Sequence, residues 1–424
     1  MKSLTYRIIS VVTGLMAFTC TWASEADTTA IIKNNVSFGP RGAWLMPSNE
    51  FFRGENKYGK QLNTSISIHM QYTFSFPTGS YFRQTFPTAY QGFGIAFNTF
   101  FDNKEIGSPA AIYLVQGAEI AKLSDRLSFG YEWNFGASFG WHPYKEFNGV
   151  EGNSYNIVVG SKINAYINMG LTLTWHPSDS WSVMAGAELS HFSNGNTKYP
   201  NAGVNTLGAR IGAVYSFTSP SYRKDVTIYE PTKHIHSKKF LNRITIDAIL
   251  YGAVRSKGMV WEDNPYIVSG KFGILGVNIN PMYRVGKCFR AGFSIDIQYD
   301  ESANISKHIA GHVADRNGED LRFFRPPLCE QLGTGVSLRA ELAMPIFSVN
   351  IGFGHNVLYK CDDLDGFYQV VALKADVSRH LFLHIGYKLS KFHDPNNLMI
   401  GAGWRFGDSR WNANGTRASQ AKTL

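Results

Sequence analysis

The stretch Trp181-Ser182-Val183-Met184-Ala185-Gly186-Ala187-Glu188-Leu189-Ser190-His191-Phe192-Ser193 alternates with a period of two. Val183, Ala185, Ala187 and Leu189 fall on one face; Met184, Gly186 and Glu188 fall on the other. That period predicts a β-strand, whose successive side chains point to opposite sides. An apolar face backed by a face that carries one carboxylate suits the wall of an outer-membrane barrel. Lipid covers the outside there, and charge is tolerated only inside. The odd-numbered face is therefore the lipid-facing one, and His191 and Ser193 continue it at the strand's outer end.

The next strand gives the same answer. Leu207, Ala209, Ile211, Ala213, Tyr215 and Phe217 read as outward, and Gly208, Arg210 and Gly212 as inward. Asn205 shares the outward parity. Glu188 and Arg210 both point inward and are expected to pair.

Working outward, the same period recurs along the chain. We expect strands near 34–47, 63–75, 88–99, 110–122, 126–140, 160–175, 181–193 and 205–217, then near 242–255, 266–283, 288–299, 331–343, 346–358, 367–377, 381–392 and 398–406. Tight polar connections at 123–125, 176–180, 285–287 and 378–380 fall at alternate positions, as periplasmic turns do. The others, 141–159, 194–204, 300–330 and 359–366, are longer and are expected outside the cell. The exception is the basic stretch 218–241, which reads as a linker between two sets of eight.

Composition agrees. The 424 residues are 44% hydrophobic and 14% aromatic, with 41 glycines and only 17% charged residues, against roughly 25% charged in soluble proteins. Too many apolar and aromatic residues are present for a disordered chain. After the N-terminus no run approaches the ~18 apolar residues of a spanning helix. The expected class is thus all-β: an outer-membrane antiparallel transmembrane β-barrel of about sixteen strands.

The two sets look like copies. Gly212-Ala213-Val214-Tyr215-Ser216-Phe217 and Gly401-Ala402-Gly403-Trp404-Arg405-Phe406 both read Gly-x-x-aromatic-x-Phe, like the closing strand that barrel-assembly machinery recognises. Leu189-Ser190-His191-Phe192-Ser193 also matches Leu389-Ser390-Lys391-Phe392-His393 at an offset of 200. We infer a duplicated eight-strand unit. Two small barrels and one wide barrel both fit, and the linker with two closing signals favours two.

Residues 1–23 read as a cleaved signal peptide, with Lys2 and Arg7, an apolar Ile8–Phe18 core and a Thr21-Trp22-Ala23 exit. This implies the outer membrane of a Gram-negative bacterium. Residues 24–217 form the first unit, 218–241 the linker, 242–406 the second unit and 407–424 a polar tail. The mature chain keeps Cys288, Cys329 and Cys361, for which free thiols are the default and a Cys329–Cys361 bridge the alternative. The 41 Lys+Arg against 32 Asp+Glu give +9. On an exported protein this suits the phosphates of lipopolysaccharide rather than nucleic acid.

His191, Ser193 and Asn205 converge on one outward patch. A serine hydroxyl is a weak nucleophile until a neighbouring base takes its proton. That base works best when a third group holds its tautomer. His and Ser two apart on a strand share a face, and an Asn side-chain oxygen can accept from the imidazole. Spacing alone favours the simpler reading, an interfacial polar cluster at a loop mouth, because such pairs are common.

The fuller segment His191-Phe192-Ser193-Asn194-Gly195-Asn196-Thr197-Lys198-Tyr199-Pro200-Asn201-Ala202-Gly203-Val204-Asn205 resembles the lipid A 3-O-deacylase (PagL) family, also called acyloxyacyl hydrolases. Its pattern is His-x-Ser-Asn followed by Pro-Asn-x-Gly-x-Glu. His191, Ser193, Asn194, Pro200, Asn201 and Gly203 match in order and spacing, and the resemblance covers about residues 34–217. It implies an outer-membrane esterase with Ser193 as nucleophile and His191 as general base. It also implies Asn201, with Asn194 and the Gly195 N–H, as oxyanion donors. No cofactor or metal is required by that chemistry. The expected partner is lipid A in the outer leaflet, and the expected reaction is removal of an ester-linked hydroxyacyl chain.

One departure stands out: the family's acid falls at 205, where this chain has Asn. A neutral Asn orients His191 but stabilises an imidazolium less. The expectation is a slower enzyme, a different substrate preference or an inert site. The rival class is a non-catalytic barrel, a channel or a structural protein, that kept the family fold. The second unit carries Lys391 and His393 at the equivalent positions and is expected to be structural or to contact lipopolysaccharide. Trp133, Trp141, Trp175, Trp181 and Trp404 read as interfacial girdle residues. His234 with His236, His308 with His312, and Asp362, Asp363 and Asp365 do not make metal motifs.

Overall fold

The computed structural model describes residues 33–76, 81–146, 152–217, 243–261, 264–286, 288–315, 318–360, 362–378, 380–390 and 394–407. The segments read as a signal peptide and a linker, the tail beyond Gly407, and Lys391 and His393 lie outside these residues. Among the described residues no helix is long and apolar enough to cross a membrane. Strands make the walls.

The first eight strands are β1 (Asn34–Leu45), β2 (Thr64–Ser75), β3 (Ala89–Thr99), β4 (Gly107–Ser124), β5 (Leu127–Trp141), β6 (Ile163–Trp175), β7 (Trp181–Ser193) and β8 (Val204–Ser216). They form one closed antiparallel barrel. Closure runs from β8 back to β1, with Phe38 opposite Ala213 and Trp44 opposite Leu207. A second closed barrel is built from β9 (Ile244–Trp261), β10 (Asn264–Arg284), β11 (Phe289–Asp300), β14 (Leu332–Ala343), β15 (Phe347–Leu358), β16 (Phe367–Asp376), β17 (Leu381–Ser390) and β18 (Asp394–Gly407). There β18 closes on β9, with Ala248 opposite Trp404. Each Gly-x-x-aromatic-x-Phe segment thus lies in a closing strand, and the molecule is two small barrels, not one wide one. The matched pair at offset 200 falls at the end of β7 in the first barrel and, with Leu389 and Ser390, begins at the end of β17 in the second, each the seventh wall strand of its barrel. The connection after β11 holds an additional hairpin, β12 (Ile309–Asp315) with β13 (Gly318–Phe323).

Charge fills the interiors, as the alternation requires. In the first barrel Arg210 Nε lies 2.7 Å from Glu188 Oε1, and Arg210 Nη2 also pairs with Glu132. Arg41 Nε stands 3.2 Å from the second oxygen of Glu188. These groups are buried, so each needs its partner. In the second barrel Lys374 bridges Asp247 and Glu341 at 2.9 and 2.8 Å. Arg339 pairs with Asp296 at 2.8 Å. Barrels of eight strands have interiors just wide enough for side chains to fill.

Toward the long-loop end of the first barrel the charged layer gives way to an apolar plug of Leu45, Phe51, Phe52, Phe100, Trp141, Tyr166, Phe192 and Val204. Trp141 therefore corrects the girdle reading. It is 3% exposed, stacks on Phe100 and donates to Ser138 Oγ at 2.9 Å. The parity of β5 breaks near its end, where Gly140 has φ +95°. Trp175, Trp181 and Trp404 do face outward, about half exposed. Cys329 is an exposed free thiol, and Cys361 lies outside the described residues.

Candidate active site

Phe192 sets the geometry of the site. Its ring is buried in the plug, 5.2 Å from Trp141 and 5.1 Å from Tyr166 between ring centroids. Because neighbours on a strand alternate, burying Phe192 turns His191 and Ser193 outward together. Both are half-buried, while Leu189 and Leu207 beside them are about half exposed on the lipid-facing wall.

Register supplies the third member. In the β7–β8 ladder His191 stands directly opposite Asn205. His191 Nδ1 lies 2.7 Å from Asn205 Oδ1. With the amide oxygen as acceptor, Nδ1 carries the proton and donates, and Nε2 keeps its lone pair. That is the tautomer a general base needs. Ser193 pairs across to Ala165 on β6, so it occupies the same wall one pleat further out.

The loop from Asn194 to Gly203 folds back over this pair. Asn194 N–H donates to Asn201 Oδ1 at 3.0 Å, and Asn201 Nδ2 donates to Asn196 Oδ1 at 3.0 Å. Asn194 Nδ2 donates to the Lys198 carbonyl at 2.8 Å. The two motif asparagines thus use their amides to brace the loop itself. Gly195 and Asn196 are both left-handed, at φ +63° and +62°. Among the described residues Gly195 N–H donates to no protein group, and it directly follows Ser193-Asn194.

Gly203 ends the loop against the site. At φ +74° it suits glycine, and a Cβ there would lie 3.3 Å from His191 Cε1 and 3.1 Å from the Phe192 carbonyl. Its N–H donates to the Val158 carbonyl at 3.1 Å. The Asn156–Val159 segment that receives it was not singled out in the sequence. Asn156 Oδ1 accepts from both the Val158 and Val159 N–H groups, but nothing local in the chain announces that this turn supports a loop more than forty residues away.

A polar cavity also opens at the short-turn end of the first barrel, lined by Gln71, Glu132, Thr172, His176 and Ser182 among others. It lies at the opposite end from the motif loop and takes in none of its residues. No group of acidic, His and Cys side chains suited to a metal occurs among the described residues. His308 pairs instead with Glu330 at 3.0 Å, and Asp363 with Lys257 at 2.7 Å.

Among curated proteins none matches. Similar solved structures include Ail, the attachment invasion locus protein of Yersinia pestis, at 9% identity over 44% of this chain and 99% of that one (TM-score 0.22). Another is the TodX monoaromatic hydrocarbon channel, at 8% identity over 90% and 89% (TM-score 0.18). A third is a ferric enterobactin receptor of Pseudomonas aeruginosa, at 9% over 86% and 69% (TM-score 0.26). At such scores none of them informs the site.

Family models do. The model of lipid A 3-O-deacylase (PagL) matches residues 114–213, which contain the whole His191–Asn205 segment. The model of the acyloxyacyl hydrolase C-terminal domain matches residues 244–409, the second barrel. Together they span more than half of the chain and support a deacylase of the outer membrane. With the two models matching the first barrel in part and the second barrel in full, the chain belongs to the lipid A 3-O-deacylase (PagL)/acyloxyacyl hydrolase family.

Proposed function

We propose that this protein is a serine esterase that hydrolyses an ester-linked hydroxyacyl chain of lipid A in the outer leaflet. The observation that carries the reading is the 2.7 Å contact from His191 Nδ1 to Asn205 Oδ1 on the face that also bears Ser193. His191 Nε2 takes the hydroxyl proton as Ser193 Oγ attacks the acyl carbonyl. The Gly195 N–H receives the developing oxyanion, with the loop braced by Asn194 and Asn201. One such donor is worth about 10²–10³ in rate. The sugar hydroxyl leaves with the proton from His191, and water then releases the acyl chain from Ser193 by the same relay.

A site on the outer wall suits a substrate that never leaves the membrane. Exposed Leu171, Leu189 and Leu207 line the approach with the apolar surface that an acyl chain would follow. The net charge of +9 suits the lipid's phosphates.

The second reading is a barrel that kept the fold without the chemistry. Asn205, where the family pattern has Glu, favours it. Mass spectrometry of lipid A from cells producing the parent or Ser193→Ala separates the two. The esterase reading expects a lost acyl chain with the parent alone. Intact lipid A in both, with single-channel conductance from the purified protein, would leave the non-catalytic barrel.

A further inference from the structure

The motif loop of the first barrel rests on the outer wall of the second. Ser256 of β9 donates its backbone N–H to the Asn196 carbonyl at 3.3 Å. Lys271 of β10 donates through Nζ to the Thr197 carbonyl and, at 2.9 Å, to Ser256 Oγ. A Cβ built on Gly195 would lie 3.3 Å from Leu398 Cδ1 and 3.4 Å from Tyr387 Cε2, on β18 and β17. The Tyr199 ring lies over Gly258 of β9.

These contacts fall on a face that should belong to lipid. On β9 the outward residues Leu250 and Val254 are 57% and 51% exposed, yet Ser256, of the same parity, is 7% exposed. On β17 Leu383 and Ile385 are exposed, whereas Tyr387, next on that face, is half-buried. The loss of exposure at the strand ends coincides with the loop. Within the loop Asn196 is 4% exposed.

We infer that the second barrel positions the active-site loop, with Lys271 and Ser256 holding the carbonyls of Thr197 and Asn196 so that the adjoining Gly195 N–H is aimed at the reacting carbonyl. The inference rests on the esterase reading. Gly195 and Asn196 are both left-handed, and such a turn keeps one orientation only where its surroundings hold it. Two carbonyls gripped from a rigid wall supply that hold. Lys271 is a positioning residue: it touches the loop backbone and acts on the reaction through it. This gives the second unit a role that its missing His–Ser pair does not predict.

The test uses the full chain in detergent micelles with purified lipid A, and a second readout that needs no turnover. Trypsin cleavage after the exposed Lys198, followed by the appearance of a fragment beginning at Tyr199, reports how firmly the loop is docked. Lys271→Ala should lower kcat by about 10²-fold, the usual cost of a misplaced reacting group, with KM nearly unchanged. It should also speed cleavage after Lys198. Lys271→Arg, which keeps the donors, should restore both. The double variant Tyr387→Ala, Leu398→Ala carries the same expectation if Lys271→Ala fails to fold.

Parent rates of turnover and of cleavage in these variants would overturn the inference. Faster cleavage with parent kcat would show a docked loop that has no bearing on chemistry, which overturns it too. A rise in KM alone would make Lys271 a substrate contact instead of a positioning group. A parent that never deacylates lipid A refutes the esterase reading and the positioning role with it, while the cleavage rates still report whether the loop is docked.

Discussion

His191 and Asn205 are cross-strand partners in register, with Nδ1 and Oδ1 2.7 Å apart on the lipid-facing wall. An amide oxygen can only accept here, so the contact selects one imidazole tautomer. It does not add the negative charge that would favour an imidazolium. Asn205→Ala should lower deacylation about 10- to 100-fold, less than the ~10⁴ seen when a triad carboxylate is made neutral and the tautomer is lost. Asn205→Glu should equal or exceed the parent. Steady-state kinetics on the three proteins decides it: if the Ala variant matches the parent and the Glu variant gains nothing, position 205 does not orient His191.

Ser193→Ala should abolish lipid A deacylation, by at least about 10⁴-fold, while the heat-modifiable folded form remains. His191→Asn should lose nearly as much. The double variant should be little worse than either, because members of one catalytic unit lose most of the rate at the first deletion. Losses that multiply would mean that the two side chains act separately.

Gly203→Ala tests the seat of the imidazole. The new methyl would face His191 Cε1 at 3.3 Å from a backbone at φ +74°. Left-handed backbone costs a non-glycine residue about 1–2 kcal/mol. We expect a folded barrel whose kcat falls about tenfold or more, since small displacements of a reacting group are costly. An unchanged kcat would show that the loop end does not constrain His191.

Arg210→Met tests the interior. It would leave Glu132 and part of Glu188 buried without their shared cation. Removing one partner of a buried pair costs about 3–5 kcal/mol. Urea unfolding in detergent, followed by the heat-modifiable gel shift, should move to lower denaturant by a corresponding amount. A midpoint equal to the parent's would mean that Arg41 and bound water replace Arg210 fully.

Alternation along β7 and β8 was legible in the chain because side-chain direction in a strand is a local property with a period of two. It put Glu188 and Arg210 inside, where they meet at 2.7 Å, and His191, Ser193 and Asn205 outside. Strand positions, the copied halves and the two closing segments followed from the same local signals. Closure did not, because the β1–β8 and β9–β18 ladders join residues far apart in sequence, and either one wide ring or two small ones satisfies the alternation. Parity likewise gave the face of Asn205, but only the β7–β8 register set it opposite His191. Trp141 broke the pattern because the apolar plug, a three-dimensional neighbour set, claimed its ring. The grip of Lys271 and Ser256 on the motif loop was the least legible of all. It depends on where one closed barrel rests against another, and no period within either half encodes that contact.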